Sequence, residues 1–457
     1  MRARRKRRFT ADAYGRECDM PDRSGRQGVI ARAACVFAGL VLPAGCAAPS
    51  LAPPVSPGVA STAGIERSGA AQAAARSVKR GYTLLYSFAG SPDGAVPYGG
   101  LIAGGSGELL GTTYFGGTAN PPSSGAGTVF ALKKTGGKYV ESVLHSFGFD
   151  GYYPATAPTL DPSGVIYATV QSGPGSDAAG GVVSLSPSSD GYSESGAFHF
   201  SPSQGSAPQT QLVELPDGSA DLNYGTQLFT TTAAGASGAG ALGWLTLSLS
   251  YTGAYSFQGG SGDGAAPMGN LVIDPSRKID GATSAGGAGD GTVFQYDTIT
   301  GKESVLYAFE GGANDGSTPV GGVALDNQGN IYGTTKSGGA DGAGVVFKLS
   351  YNGSRYTETV LHSFGGKADG ATPLAAPVIT VKSNILYGTT SAGGANGAGT
   401  IYQIATDGAK YKVLYSFTKA TGATPGYGSL LLQGNTLYGT TQAGGTANLG
   451  VAYSFVP

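Results

Sequence analysis

The stretch Asn330–Leu349, NIYGTTKSGGADGAGVVFKL, reads as a short strand, a glycine-rich connection and a second strand. Its Gly-Thr-Thr core recurs as Gly111-Thr112-Thr113, Gly333-Thr334-Thr335, Gly388-Thr389-Thr390 and Gly439-Thr440-Thr441. Weaker copies are Ala168-Thr169-Val170, Thr230-Thr231-Thr232 and Gly281-Ala282-Thr283. The first residues of the seven triplets lie 57, 62, 51, 52, 55 and 51 apart. A period near 50 residues held over most of a chain indicates a propeller or an array.

The 457 residues include Gly 80 and Pro 25, a content that alone would suggest disorder. The glycines cluster between alternating apolar runs and show no three-residue period, so they read as turn residues. No helical periodicity is sustained beyond the N-terminal region. The chain is therefore expected to be all-β.

Each unit divides into four strands, for which the fifth is the template: Val320–Leu325, Asn330–Lys336, Ala343–Leu349 and Tyr356–Phe364. Asp326-Asn327-Gln328-Gly329 and Tyr351-Asn352-Gly353 supply tight turns. The last strand reads VLYSF or VLHSF, as at Val143–Phe147, Val305–Phe309 and Val413–Phe417. Three-strand sets counted from Tyr98 number seven, and the seventh (429–455) stops without its last strand. An unmatched strand of that type, Leu84–Phe88, precedes the first set. If it completes the seventh sheet, the ring closes with no long edge exposed. The expectation is a seven-bladed β-propeller of four-stranded antiparallel blades over 81–457, with the N-terminal strand closing the last blade. An open β-solenoid is the rival, and it would not need complementary ends.

Units such as LYGTTSAGGANGAGTIYQI (386–404), VLHSF and DGATP resemble the GloVer tandem repeat, over about 82–457. That family is found in bacterial exported proteins with varied surface anchors. The resemblance implies an exported, surface-anchored β-repeat protein. Units two and three depart from it, at Ala168-Thr169-Val170 and Phe198-His199-Phe200.

Residues 1–46 read as a basic leader and a secretory signal. Arg2–Arg8 is strongly basic, and the apolar run Ala33–Leu42 leads into Pro43-Ala44-Gly45-Cys46. The ending resembles a lipoprotein signal in which Cys46 is lipidated, although Pro43 stands where a large aliphatic residue is usual. An ordinary cleaved signal is the alternative, and Met20 or Val29 is a candidate true start. After Cys46 the chain has no cysteine, so packing rather than disulfides must hold the fold. Residues 47–80, rich in Ala, Pro, Ser and Gly, read as a tether of roughly 30 Å coil dimension or as a plain leader. Removing residues 1–46 takes away 10 basic and 4 acidic groups, leaving 28−10=18 against 29−4=25, a net charge of −7. Nucleic acid is not an expected partner. Membrane contact is expected only through the lipid anchor, and a closed ring is expected to be a monomer.

An Asp-Gly-x-x-Pro element recurs at Asp93, Asp150, Asp263, Asp315 and Asp369. Two readings stand: a ring of aspartates at a channel mouth for a cation or a polyol, or turns in which Asp caps a loop. One Asp per blade does not supply the six to eight oxygens of Ca²⁺. The glycine-rich connections lack a P-loop Lys and a following helix, so no phosphate cofactor is implied. His145, His199 and His362 have no metal-ligand spacing, and Trp244 reads as core. No cofactor, metal or catalytic set is expected. Long loops leave one end of the blades, where binding is usual. There the first unit offers Tyr114, Phe115 and Asn120, and the second offers Tyr152 and Tyr153. Aromatics beside polar groups suit a glycan, while packing of blade 1 on blade 2 is the plainer account. The expected function is a surface-tethered binding or scaffold module for a glycan or a surface protein. The alternative is a polysaccharide hydrolase or lyase with carboxylates at the channel mouth.

Overall fold

A computed structural model describes residues 80–457 apart from 106, 119–124, 174–178, 190, 216–226 and 381. Cys46, the leader, nearly all of the tether and Asn120 lie outside the described residues. Among these, regular structure is β apart from a single 3-10 turn at Lys367–Asp369. Seven antiparallel sheets follow one another along the chain. Blade 5 runs Val323–Leu325, Ile331–Thr335, Val345–Tyr351 and Tyr356–Ser363 from inner to outer strand. Its inner strand is shorter than the sequence pattern implies: Gly321 O accepts instead from Asn270 N and Ala376 N of the neighbouring blades, and Gly322 bridges to Asn270. Blade 7 takes Leu431–Gln433, Thr436–Ala443 and Val451–Val456 from the C-terminal end and Gly81–Ser87 from the start of the ring. Gly81 pairs with Val456 and Ser87 with Val451. The ring closes as expected, and the solenoid is excluded.

The core sits between blades. Seven clusters of buried side chains occur, one at each junction; the closing one joins Phe88 and Ala452 to Leu101, Leu109, Phe130 and Leu132. A four-stranded sheet has two apolar faces and can bury them only against two neighbours. The seven terminal phenylalanines of the outer strands, Phe88 to Phe417, are all buried. The outer strand bulges at one place in six blades, as at Leu85, Leu144 and Leu361. In blade 2 the bulge shifts to Ser195, where the sequence departs from the repeat.

The repeat constants are junction parts. The residue before each repeat Pro, from Val96 to Thr424, has φ between 47° and 64°, a region costly for residues other than Gly. Its N–H donates to a carbonyl of the preceding blade at every junction: Val96 to Leu449 at 2.7 Å, Tyr153 to Ala126 at 2.8 Å, Thr372 to Ala343 at 2.8 Å. The first Thr of the triplet crosses the same junction, as Thr334 Oγ1 does in donating to the Ala375 carbonyl at 3.0 Å. The second Thr explains the Gly of Asp-Gly: a Cβ on Gly316 would lie 2.4 Å from Thr335 Cγ2. The triplet glycine lies under a third-strand ring, and a Cβ on Gly111 would meet Phe130 at 2.4 Å. The last Gly of Gly-Ala-Gly has positive φ and faces the next blade's Pro. At Gly399 (φ +97°) a Cβ would be 2.3 Å from the Thr390 carbonyl and 2.7 Å from Pro425.

Candidate functional site

At the end bearing the long loops, side chains from blades 7, 1, 2 and 3 converge on the ring axis. Tyr427 stacks on Tyr98 with ring centroids 5.6 Å apart. Tyr98 tilts against Tyr114 at 5.0 Å, and Tyr114 stacks on Tyr153 at 5.0 Å. Phe115 sets its edge against Tyr114 and Tyr153. All five rings are half-buried. Three of them border a cavity of about 400 Å³ lined by Tyr98, Tyr114, Tyr427, Gln171, Gln209 and Gln211, with Asn270 and Ser429 deeper in, and Phe115 and Tyr153 stand behind Tyr114. Tyr114 donates to Gln171 Oε1 at 3.1 Å, and Gln211 Nε2 donates to the Pro158 carbonyl at 2.9 Å. Burial, then Tyr98 and Tyr153, pushes the Tyr114 phenol up; burial and Tyr98 do the same for Tyr427. Among the described residues, none of those lining this cavity is Asp, Glu, Lys, Arg or His.

Behind the mouth, Asn270 Nδ2 of blade 4 donates to Ser429 Oγ of blade 7 at 3.0 Å. These blades are three places apart, so the bond crosses the ring. A second cavity of about 360 Å³ lies beyond it, sharing Gln211, Asn270, Ser429 and Leu430 with the first.

Of the ligand residues expected from sequence, Tyr114, Phe115 and Tyr153 gather at this mouth. Tyr152 turns away, pairing with Ser172 and packing on the cluster of Leu110, Val129 and Ile166. Packing of blade 1 on blade 2 is thus real, and it builds the aromatic surface in the process. The sequence reading missed Tyr98, Gln209 and Tyr427. Tyr98 and Gln209 directly follow a repeat Pro, and Tyr427 follows Pro425-Gly426. That place varies from blade to blade inside a constant frame, which was the available signal.

The aspartates cap loops. Asp263 accepts from Gln258 N at 2.6 Å, Gly264 N at 2.6 Å and Tyr255 Oη at 2.9 Å. Asp93 accepts in the same way from Ala89 N, Gly94 N and Tyr86 Oη. Asp315 accepts from Glu310 N and Gly316 N. Asp150 and Asp369 take His145 and His362 in place of the Tyr, at 2.5 and 3.1 Å, with Gly148 N and Gly365 N. Asp263 is 6% and Asp315 8% exposed, and all five carboxylates accept from groups of their own loops or the strands that lead into them. Trp244 packs on the blade 3–4 cluster, and the described residues contain no metal-holding group of His, Cys, Asp and Glu.

Three glutamates stand against those aspartates across junctions: Glu141 beside Asp93, Glu303 beside Asp263 and Glu358 beside Asp315. Burial first, then the facing aspartate, pushes them up to about 7, 7 and 8. One buried oxygen of each has no hydrogen-bond partner. The arrangement recurs at three junctions and stays clear of the mouth, which marks it as a part of the repeat.

Among solved structures, the chain is similar to the type-IX secretion component PorZ of Porphyromonas gingivalis (16% identity, 81% of this chain and 48% of that one, TM-score 0.48). It is similar also to the extracellular domain of a candidate hybrid two-component system from B. thetaiotaomicron (11%, 83% and 41%, TM-score 0.48). A third is a candidate 6-phosphogluconolactonase from Bacteroides fragilis (14%, 69% and 82%, TM-score 0.46). The chain spans about half or less of the first two. No functional inference for this chain rests on these overlaps. No curated protein sequence matches it. The Gloeobacter/Verrucomicrobia repeat matches over residues 58–289 and 219–453, so that nearly the whole ring is accounted for, and the chain belongs to that repeat family.

Proposed function

We propose that the protein is an exported binding module that takes a glycan at the mouth of its ring. One observation carries this: Tyr427, Tyr98, Tyr114 and Tyr153, from three blades, form a continuous half-buried run beside the amides of Gln171, Gln209 and Gln211. A sugar presents flat C–H faces and a rim of hydroxyls, so phenol faces next to fixed donors and acceptors complement it. The cavity volume is ordinary for a small-ligand site. The basic leader, the apolar run and Cys46 support export with a lipid anchor, and residues 47–80 would hold the ring clear of the membrane.

The hydrolase or lyase reading needs carboxylates at the mouth, and none lines it among the described residues. The experiment is a titration of the full chain against bacterial, plant and algal polysaccharides. Tyr114→Ala is expected to weaken saturable binding about tenfold or more, roughly 1.4 kcal/mol, with the melting temperature little changed. Tyr351→Ala removes an exposed tyrosine from a hairpin at the other end of blade 5 and should leave binding intact. Release of product during the titration would favour the enzyme. No saturable binding across the panel would overturn the glycan reading and leave a surface protein as the partner to seek.

A further inference from the structure

The described lining of the mouth cavity is uncharged, and the cavity is bridged behind. From that combination we infer that it receives the terminal units of a neutral glycan, excluding polyanions and chain interiors. The inference rests on the glycan reading above and deepens it.

A uronate or sulfate group entering this cavity would leave water without meeting a cation, a cost that hydrogen bonds from neutral donors offset poorly. Hydroxyls fit instead. Gln209 accepts from Gln171 Nε2 at 3.4 Å through its oxygen, and its own amide nitrogen has no partner among the described residues. Gln211 is occupied through its nitrogen, and its side-chain oxygen has no hydrogen-bond partner among the described residues. The site therefore offers a free donor and a free acceptor on neighbouring side chains, a pair suited to a hydroxyl that gives one hydrogen bond and receives another. Burial holds the Tyr114 and Tyr427 phenols in their protonated form. The residue following each triplet lines a register ring near the mouth: Tyr114, Gln171, Ala233, Ser284, Lys336, Ser391 and Gln442. Lys336 is the one charged member; it is exposed and takes no part in lining the cavity.

The Asn270–Ser429 bond spans the ring between blades 4 and 7, so a chain entering from the mouth meets a bridge across the axis before it reaches the second cavity. An interior stretch would have to turn back on itself to fill the cavity, whereas a chain end enters once.

The test uses the full chain and a neutral polysaccharide that saturates in the panel, its carboxymethylated form, and a size series of the neutral polymer. Affinity per chain should stay constant along the size series. It should change less than about twofold between roughly 0.05 and 0.5 M salt, since no ion pair is screened, and carboxymethylation should abolish it. Gln209→Glu should weaken the neutral ligand about tenfold; Gln209→Met serves if that variant fails to fold. Lys336→Ala should have no effect. Affinity rising in proportion to chain length would overturn the terminal assignment. Preference for the polyanion, steep salt dependence and loss in Lys336→Ala would overturn the neutral one. Both results would leave the glycan reading standing, whereas absence of any glycan binding would remove the two together.

Discussion

The junctions on either side of blade 5 share one backbone frame and fill their outer edge with opposite chemistry. At the 4/5 junction Tyr307 and Asp315 face Glu358, whose carboxyl is held up near 8 by burial and by Asp315. At the 5/6 junction the same strand place holds Tyr411. His362 stacks on it at 3.6 Å and bonds Asp369, while the Tyr411 hydroxyl donates to the Asp369 carbonyl at 2.6 Å. Thr318 N to Asp290 O at 2.7 Å and Thr372 N to Ala343 O at 2.8 Å lock the two junctions alike. The frame is thus a property of backbone and small residues, and the outer edge is free to vary so long as the facing pair agrees.

Breaking the shared frame should cost most. Gly291→Ala and Gly344→Ala each add a Cβ at φ +97°, 2.4 and 2.3 Å from a carbonyl oxygen and 2.7 and 2.8 Å from the next blade's Pro. Each is expected to cost about 3 kcal/mol or more, equally at the two junctions, measured by denaturant unfolding. Next comes Tyr411→Ala, which removes the ring beneath His362; about 2–3 kcal/mol is expected, with no counterpart cost from Glu358→Ala of that size.

The smallest effect sharpens the comparison by its sign. Glu358 has a folded pKa above its ordinary value, so the folded protein holds that proton more tightly than the unfolded chain does. The junction is then most stable below about pH 4.5 and loses stability as pH rises toward 8. His362 is lowered, by burial first and against the opposing pull of Asp369, so its junction loses stability as pH falls through about 6.5. Glu358→Gln should raise stability at pH 8 by about 1 kcal/mol after allowing for solvent screening, and by nothing at pH 4.5. Thermal unfolding across that range checks it. A gain at both ends would mean the carboxyl is not the titrating group.

Much of this was legible in the residues. The spacing of the Gly-Thr-Thr triplets and the stranded Leu84–Phe88 fixed seven sheets and a mixed closing blade, because strand alternation and turn residues are local signals. The Asp-Gly-x-x-Pro elements were visible, but whether Asp93 or Asp263 faced a ligand or its own loop was not. A carboxylate's partners, Gln258 N and Tyr255 Oη in one case, are brought to it by a turn whose geometry the letters do not give. The three Glu–Asp pairs were invisible for a related reason. Glu141 and Asp93 stand at opposite ends of one repeat unit and meet only because the outer strand folds back against the loop that enters its blade.

The mouth divides in the same way. Composition and repeat phase alone determined that this is an all-β ring with long loops at one end, and Tyr114, Phe115 and Tyr153 stood out as departures from the repeat. Only the tertiary structure decided that Tyr98 and Tyr427 join them, that Tyr152 does not, and that Asn270 and Ser429 bridge the axis. Those residues lie far apart in the chain, and the contact between them follows from the rotation of each blade about the axis, which no local pattern encodes.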